Sequence, residues 1–420
     1  MDSVEPRRVV RSTLLGSQKL LLSGGFRLGL LSVGKAAIPM TLGALEVLAD
    51  DISSGVVVPK HIAADTPVLP PRFFVQPGAH PTPDERSLIA GKTVLNYLSG
   101  LAAEDQVICL ISGGGSSLMT LPVADVTLSD LQQLTRLLLG CGATITEINI
   151  LRKHLDRIKG GGLALAATPA KLVTLILSDV IGNTLDVIAS GPTTPDPSTY
   201  SQAYGILEKY GLLSDTPASI VAVLHQGMAG ERPETLKPGD PVFRNITHTI
   251  IADNAVAVKA ALDEAVSVGF DIGTLDTLLK GEARNAGSQL AFQTLKLLAQ
   301  RNNNLPPLCL VMGGETTVTL RGNGMGGRNL ELALAAVPIL SGRERVALIT
   351  LATDGEDGPT DAAGALVTGE TMQKARRLQL DPADFLARHD SYTFFAQIGG
   401  LLKTGPTGTN VNDLVIICLY

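Results

Sequence analysis

The sequence predicts an α/β protein of two domains, each with a largely parallel sheet covered by helices. Short apolar runs that end in Gly, Ser or Asp pass repeatedly into segments with helical periodicity, an alternation typical of parallel sheets. The clearest runs are RLGLLSVGKAA, QVICLISGGGSS, KLVTLILSDVIG, LCLVMGGETTVTL, VALITLATDGEDG and the final NDLVIICLY. An apolar fraction of 45% over 420 residues is sufficient for more than one core.

A break in composition divides the chain. Residues 225–245, HQGMAGERPETLKPGDPVFRN, are rich in proline, glycine and charge, as in a linker or a long surface loop. We therefore predict a Rossmann-like N-terminal domain at 1–238 and a second α/β domain at 239–420. Residues 1–28 are predicted to form a helix that can pack on the second domain.

Charge and composition restrict the partners. The net charge is −6 with basic and acidic residues interspersed, so we expect neither a nucleic-acid surface nor a polybasic membrane patch. The N-terminal segment lacks the pattern of a secretory signal, and no run approaches the roughly 18 apolar residues of a membrane span. The four cysteines show no C-x-x-C spacing, and a cytoplasmic setting fits them best.

Three loops of the first domain carry candidate binding residues, because ligands of such sheets bind beyond the carboxyl ends of the strands. In SGGGSS, consecutive glycines let backbone amides approach a phosphate or a carboxylate, although a tight turn without a ligand has the same pattern. A lysine follows a strand in SVGKAA, and an aspartate follows one in LSDVIGN. The candidates are Lys35, Ser112, Gly113, Gly114, Gly115, Ser116 and Asp179.

The loop TLRGNGMGGRN permits two familiar interpretations and completes neither. Gly322, Gly324 and Gly327 match a G-x-G-x-x-G dinucleotide fingerprint, but the motif comes late in the chain and the following acid is too distant. A phosphate loop would need a lysine and a hydroxyl where Arg328 and Asn329 stand. The remaining prediction is a glycine-lined helix start, including Gly326, with an arginine fork that suits phosphoryl oxygens.

Acidic and amide side chains follow the other strands of the second domain. Glu315 follows one apolar run, and Asp354 follows the next in a loop that also holds Glu356, Asp357 and Asp361. Such oxygen ligands suit Mg²⁺ or a hydroxyl group, whereas a merely solvated acidic loop is the alternative. Asn410 precedes the last strand and suits the hydroxyls of a sugar. His80 and His154 stand near the candidate loops, with structural roles as their alternative.

Taken together, these segments resemble the glycerate 2-kinases whose C-terminal part is called the MOFRL domain. The resemblance rests on VGKAA, HPTPDE, SGGGSS, RKHLDRIKGGGLA, LSDVIGN, IASGPTTPD, MGGETTVTLRGNGMGGRNLELAL, ATDGEDGPTDAAGA and GPTGTNVNDL, in that order. It implies a MOFRL region at about 307–420 and an active site in the cleft between two domains. The chain departs from the family pattern at Ala79, Asp156 and Asn183.

The resemblance implies transfer of the γ-phosphoryl group of ATP, with Mg²⁺, to the 2-hydroxyl of D-glycerate, by a monomer or a homodimer. The family motifs carry over to Lys35, Ser112 with Gly113 to Gly115, Asp179, Glu315, Arg328, Asp354 and Asn410. We expect Lys35 and Arg328 to hold the phosphoryl group, and Asp354 or Glu315 to hold the metal. Asp179 is the candidate base, with an exchange of roles with Asp354 left open.

Three questions stay open at this stage. The glycine loop can bind either the carboxylate of glycerate or the phosphates of the nucleotide. A nicotinamide-dependent hydroxypyruvate reductase, a label that relatives also carry, would use GNGMGG for the pyrophosphate. A non-catalytic regulator that binds a nucleotide or a sugar phosphate would keep the glycine loops without needing the carboxylates.

Overall fold

A computed structural model describes residues 1–22, 27–62, 66–275, 279–302 and 305–420 of the protein. The chain divides into two compact units, one of residues Pro6–Ile251 and one of Met1–Glu5 with Ala252–Tyr420. Each unit contains one sheet of six strands. Both sheets carry packed helices, so the predicted α/β fold class is confirmed.

The first sheet has the strand order β3-β2-β1-β4-β5-β6. Its strands are β1 (Arg27–Val33), β2 (Ile52–Val58), β3 (Phe73–Val75), β4 (Asp105–Ile111), β5 (Lys171–Leu177) and β6 (Ile246–Ala252). The pairings among β1 to β5 are all parallel, and β4 is buried along its whole length. A strand buried on both faces is largely apolar, which explains the uninterrupted run VICLI. The buried Asp105 at the start of the strand is paired with Arg27 at 2.7 Å.

The second sheet has the order β11-β10-β9-β12-β8-β7. Its strands are β7 (Asp271–Gly273), β8 (Leu308–Gly314), β9 (Val346–Ala352), β10 (Gly364–Thr368), β11 (Leu401–Leu402) and β12 (Asp413–Leu419). The expectation of a largely parallel sheet is wrong here, because β12 runs antiparallel to both β8 and β9, and β10 is antiparallel to β9. Residues 403–412, all within the described part of the chain, join β11 to β12 without a helix. The last strand therefore begins where β8 and β9 end.

The helices cover the sheets and also form a separate cluster. They are α1 (Pro6–Leu22), α2 (Ala37–Leu48), α3 (Glu85–Ser99), α4 (Gly115–Leu118), α5 (Leu128–Gly140), α6 (Ile145–Leu155), α7 (Gly162–Ala167), α8 (Tyr200–Lys209), α9 (Ala218–Met228), α10 (Asn254–Ser267), α11 (Ala283–Gln300), α12 (Arg328–Leu340), α13 (Thr371–Arg377), α14 (Pro382–Ala387) and α15 (Ser391–Ile398). Short 3₁₀ turns occur at Asp2–Val4, Ile188–Ser190 and Pro241–Asn245. Helices α5, α6, α8 and α9 share their own apolar core.

The observed division of the chain differs from the predicted boundary at 238/239. Strand β6 lies beside β5 in the first sheet, so the N-terminal unit extends to Ile251. The segment predicted as a linker at 225–245 begins in the last turn of α9 and ends in the 3₁₀ turn Pro241–Asn245, with a loop at 229–240 between them. This loop is held to its own unit, because Thr235 donates a hydrogen bond to Asp196 at 2.9 Å.

The predicted helix at 1–28 is shorter than expected. Helix α1 ends at Leu22 and packs on α2, where the backbone of Arg7 approaches Gly43 closely. Residues 23–26 lie outside the described residues, and 27–28 belong to β1. Only Met1–Glu5 join the second unit, where the buried Val4 accepts a hydrogen bond from Thr409 at 2.7 Å.

A pair of glycine substitutions tests the packing of α11 on α12. A Cβ atom at Gly287 would lie 2.1 Å from the carbonyl oxygen of Leu332, whereas one at Gly205 in α8 would meet nothing within 4 Å. Alanine favours a helix over glycine by up to about 1 kcal/mol at both positions. We therefore expect Gly205→Ala to raise the melting temperature in calorimetry, and Gly287→Ala to lower it because overpacking costs roughly 1–3 kcal/mol. Equal effects of the two substitutions would contradict this packing.

Candidate functional site

The first cluster of candidate residues lies at the carboxyl ends of β1, β4 and β5. The register pairs Val33 with Ile111, so the turns that follow β1 and β4 are neighbours. The backbone N–H of Lys35 donates to the carbonyl of Gly113 at 2.9 Å, and the Ser112 hydroxyl accepts the N–H of Ala36 at 3.0 Å. The structure therefore brings Lys35 and the glycine loop together, as the sequence predicts.

The glycines of this loop allow close contacts with two ionisable side chains. A Cβ atom at Gly113 would lie 2.0 Å from Oδ2 of Asp179, and one at Gly114 would lie 2.9 Å from Cδ2 of His80. Gly114 also has φ +85°, in the left-handed region that favours glycine. Three residues from separate loops, Lys35, His80 and Asp179, thus surround the glycine loop.

The hydroxyl groups of the loop are largely occupied within the protein. Ser116 Oγ lies 2.8 Å from Ser190 Oγ, and Ser117 donates to the carbonyl of Gly114 at 3.2 Å. The helix that follows, α4, has only four residues. The loop is therefore shaped mainly by its backbone, with a single helical turn behind it.

Burial and charge act in opposite directions on the aspartate of this cluster. Burial raises the pKa of Asp179, and the positive charge of Lys35 partly offsets that rise. The pKa of His80 falls to about 4 because of burial and the charges of Lys35 and Lys60. His80 is therefore neutral near pH 7, and Asp179 holds its proton more strongly than an ordinary aspartate.

The second cluster lies at one edge of the second sheet. Asp413 opens β12 and pairs in register with Gly314 of β8 and Ala352 of β9. Arg328, the first residue of α12, binds Asp413 through both carboxylate oxygens, with Nε to Oδ2 at 2.6 Å and Nη2 to Oδ1 at 3.1 Å. Its Nη1 donates to Oε1 of Glu315 at 2.8 Å. Arg328 and Glu315 are thus in direct contact.

Sequence reasoning missed Asp413, which is the anchor of this cluster. The only signal was a charged residue at the start of an otherwise apolar final run, NDLVIICLY. Burial raises the pKa of Asp413, Arg328 lowers it, and the charge of Asp354 raises it further. Asp354 is therefore close enough to interact electrostatically with the buried pair.

The acidic residues of the loop that follows β9 have different roles. Asp357 is buried and accepts the backbone N–H groups of Asn329 at 3.0 Å and Leu330 at 2.8 Å, so it caps helix α12. Burial is the main cause that raises its pKa to about 6. Asp361 instead forms an ion pair with Lys403 at 2.8 Å. Asp354 remains a candidate ligand beside Glu315 because its charge acts on Asp413, whereas Glu356 is exposed.

Asn410 lies in the loop that leads into β12, at the same edge of the sheet. Its Oδ1 accepts the backbone N–H of Asn412 at 3.0 Å. Asn410 is partly accessible, so its side chain can contact a ligand.

Oxygen donors around Arg328 suit Mg²⁺ more than a softer metal. Within the described ranges, no group of three or more His, Cys, Asp or Glu residues is placed to hold a metal ion by itself. Mg²⁺ commonly binds through one or two carboxylates together with the phosphates of its nucleotide. Glu315 and Asp354 fit that mode of binding.

The glycines of GNGMGG approach the protein itself. A Cβ atom at Gly322 or at Gly324 would lie 2.5 Å from the carbonyl oxygen of Arg388, and the N–H of Gly324 donates to that carbonyl at 2.9 Å. At Gly326 it would lie 2.2 Å from Oγ of Ser391. Two glycines of the fingerprint, Gly322 and Gly324, thus pack on the segment before α15, whereas a Cβ atom at the third, Gly327, would lie 2.4 Å from Cγ of Asp357.

Comparison with known proteins agrees with the motifs. Residues 1–225 match a family described as a domain of unknown function, DUF4147, and residues 308–413 match the MOFRL family. A D-glycerate 2-kinase from Thermotoga maritima is 43% identical, over 99% of this chain and 95% of the relative. A putative hydroxypyruvate reductase from Agrobacterium vitis is 42% identical, over 92% of this chain and 86% of the relative.

Structural comparison gives the same result. A crystal structure of a glycerate kinase from Thermotoga maritima aligns with a TM-score of 0.88 and 42% identity, over 100% of this chain and 96% of that chain. The fold is that of a two-domain α/β enzyme of the kinase class. The chain belongs to the glycerate 2-kinase family with a C-terminal MOFRL domain. The resemblance inferred from the motifs is confirmed.

One further observation concerns membranes. Among the described residues, no helix has both the length and the apolar character needed to cross a bilayer.

Removal of Asp413 tests the ion pair at the start of β12. In Asp413→Asn, Arg328 loses a buried carboxylate, and we expect the free energy of unfolding to fall by about 2 kcal/mol or more. Asp263→Asn is the matched control, because Asp263 pairs with Lys259 at 2.6 Å on the surface, where a pair contributes under about 1 kcal/mol. Chemical denaturation measures both changes, and similar losses in the two variants would contradict the assigned role.

Proposed function

We propose that this chain transfers the γ-phosphoryl group of ATP to the 2-hydroxyl of D-glycerate, giving 2-phospho-D-glycerate and ADP. The observation that carries the proposal is the cluster of Lys35 and Asp179 around the glycine loop. Phosphoryl transfer requires charge neutralisation and an oriented hydroxyl more than covalent catalysis. An exposed lysine beside an aspartate with a raised pKa supplies both requirements.

Asp179 is proposed to orient the 2-hydroxyl and to accept its proton. A general base works best when its pKa is close to the working pH, and burial moves the pKa of Asp179 in that direction. Lys35 is proposed to neutralise charge on the phosphoryl oxygens. The glycine-loop amides then remain for an anionic group of one substrate.

Glu315 and Asp354 are proposed to bind the Mg²⁺ that accompanies ATP. The metal would neutralise charge on the β- and γ-phosphate oxygens. Arg328 keeps two of its nitrogens on Asp413, while Nη1 contacts Glu315. We propose that Nη1 turns to a phosphoryl oxygen when Glu315 binds the metal, so that Asp413 keeps the guanidinium in position.

The alternative of a hydroxypyruvate reductase has less support. The pyrophosphate of its nicotinamide cofactor would need accessible backbone N–H groups at GNGMGG. Gly322 and Gly324 instead lie against the carbonyl of Arg388. The charged carboxylates around Arg328 would also repel the anionic nicotinamide cofactor, which binds without a metal ion. A regulator that binds a nucleotide without turnover would not require Asp179 beside Lys35.

An assay of ADP release tests the proposal. We expect turnover with ATP, Mg²⁺ and D-glycerate, loss of turnover when EDTA removes the metal, and none with NADH and hydroxypyruvate. NADH oxidation without kinase activity would favour the reductase. Absence of both activities, with ATP still bound, would favour the regulator.

The pH dependence of kcat tests Asp179. Only its ionised form accepts a proton, so kcat falls as the pH decreases through its raised pKa, and this fall is lost in Asp179→Asn. Because the charge of Lys35 lowers the pKa of Asp179, Lys35→Met should move the fall of kcat to higher pH. It should also reduce kcat by roughly 10²-fold or more through loss of charge stabilisation.

The exposed lysine of α3, Lys92, supplies a control of equal charge change. Lys92→Met should leave both kcat and its pH profile unchanged. A profile for Lys35→Met that coincides with that of the wild-type enzyme would remove the coupling between Lys35 and Asp179 from the mechanism.

A further inference from the structure

A pocket lies beside the first helical turn after the glycine loop, within the N-terminal unit. It has a cavity volume of about 30 Å³, room for a group about the size of a carboxylate. One wall consists of leucine and isoleucine side chains of α5 and α6, and the other is polar. The polar wall is formed by Ser116, Ser117, Thr120, Arg152, Asp156 and Lys159.

Two of these polar groups satisfy each other. Lys159 is buried, and its ammonium donates to Asp156 Oδ2 at 2.5 Å, to Thr120 Oγ1 at 2.9 Å and to the carbonyl of Met119 at 3.3 Å. Asp156 also accepts the Thr120 hydroxyl at 2.7 Å and the backbone N–H of Ile158 at 2.9 Å. All three donors of Lys159 and both oxygens of Asp156 are therefore engaged.

Arg152 is not satisfied in this way. Over the part of the chain that the structure describes, its guanidinium makes one long hydrogen bond, from Nη1 to Oδ1 of Asn149 at 3.5 Å. Burial is the main cause that lowers the pKa of Arg152. The charge of Arg152 in turn opposes the charge of Lys159. The side chain of Arg152 is partly buried, so a guanidinium with a single long hydrogen bond there is stabilised when an anion binds it.

The charges of the pocket do not balance. Two cations, Arg152 and Lys159, share the single carboxylate of Asp156, which leaves one net positive charge among the lining residues. A carboxylate matches the planar fork of a guanidinium with two parallel hydrogen bonds. The opposite wall is apolar and offers few hydrogen-bonding groups to a long polar ligand. The ligand is therefore a small one.

We propose that Arg152 binds the carboxylate of the hydroxy-acid acceptor in this pocket. The proposal rests on the proposed function and names the group that holds its substrate. Ser116 belongs both to the pocket wall and to the turn after the glycine loop, and Gly113 of the same loop contacts Asp179. A carboxylate on Arg152 would therefore leave the hydroxyl-bearing carbons on the side of the glycine loop.

Direct titration of D-glycerate into nucleotide-free protein tests the proposal. We expect Arg152→Gln to raise the Kd for D-glycerate, and its KM, by roughly 30-fold or more, as for loss of one partner of a buried charged pair. The KM for ATP should stay unchanged. Arg152→Lys should lie between the wild type and Arg152→Gln, because it keeps the charge and loses the fork.

Arg136 supplies the matched control, since it is an exposed arginine on α5, one of the helices that line the pocket. Arg136→Gln should leave the Kd for D-glycerate unchanged. The neutral amide of D-glycerate gives a second control, because its weaker binding should be the same in wild-type and Arg152→Gln proteins.

The outcomes separate the two proposals. If the wild type phosphorylates D-glycerate and Arg152→Gln binds it with unchanged Kd, the pocket assignment is wrong and the proposed function stands. If the wild type neither binds nor phosphorylates D-glycerate, the proposed function fails first. Should Arg152→Gln not fold, an unchanged KM for D-glycerate in a folded Arg152→Lys would overturn the assignment.

Discussion

The ion pair between the buried Asp413 and the partly exposed Arg328 is the interaction on which the C-terminal cluster depends. Asp413 occupies the first position of a strand that runs antiparallel between β8 and β9, so its carboxylate lies where both neighbouring strands end. Arg328 joins this carboxylate to Glu315. A charged pair so close to the core is expensive to desolvate, and hydrogen bonds to both oxygens of the carboxylate offset that cost.

The N-terminal cluster depends on the close packing of its backbone. The strands β1, β4 and β5 are parallel, so the loops after them meet at one edge. Contact between the glycine loop and Asp179 requires a residue without a Cβ atom at Gly113. Burial raises the pKa of the same carboxyl group. One steric requirement therefore determines the position of the candidate base.

Local signals in the sequence were sufficient for the parallel strands of the N-terminal unit and for the glycine loop, whereas the roles of Lys35, Asp179, Glu315 and Arg328 stay predictions. They were insufficient where the answer depended on residues far along the chain. The direction of β12 follows from the path of the preceding loop, and an apolar run has the same appearance in either direction. Gly324 packs against Arg388, a partner that the fingerprint spacing does not reveal. The charge of Arg152 is unbalanced because Asp156 is engaged by Thr120, Ile158 and Lys159, and the sequence does not reveal these contacts.

The proposed function requires transfer of the phosphoryl group to the 2-hydroxyl of D-glycerate. Phosphorus NMR of the product tests it most directly, because the phosphorus of 2-phosphoglycerate couples to the single proton on C2, whereas that of 3-phosphoglycerate couples to the two protons on C3. The account predicts a doublet that appears together with ADP. A triplet would place the phosphoryl group on the 3-hydroxyl and would contradict the assignment of Asp179 to the hydroxyl beside the carboxylate.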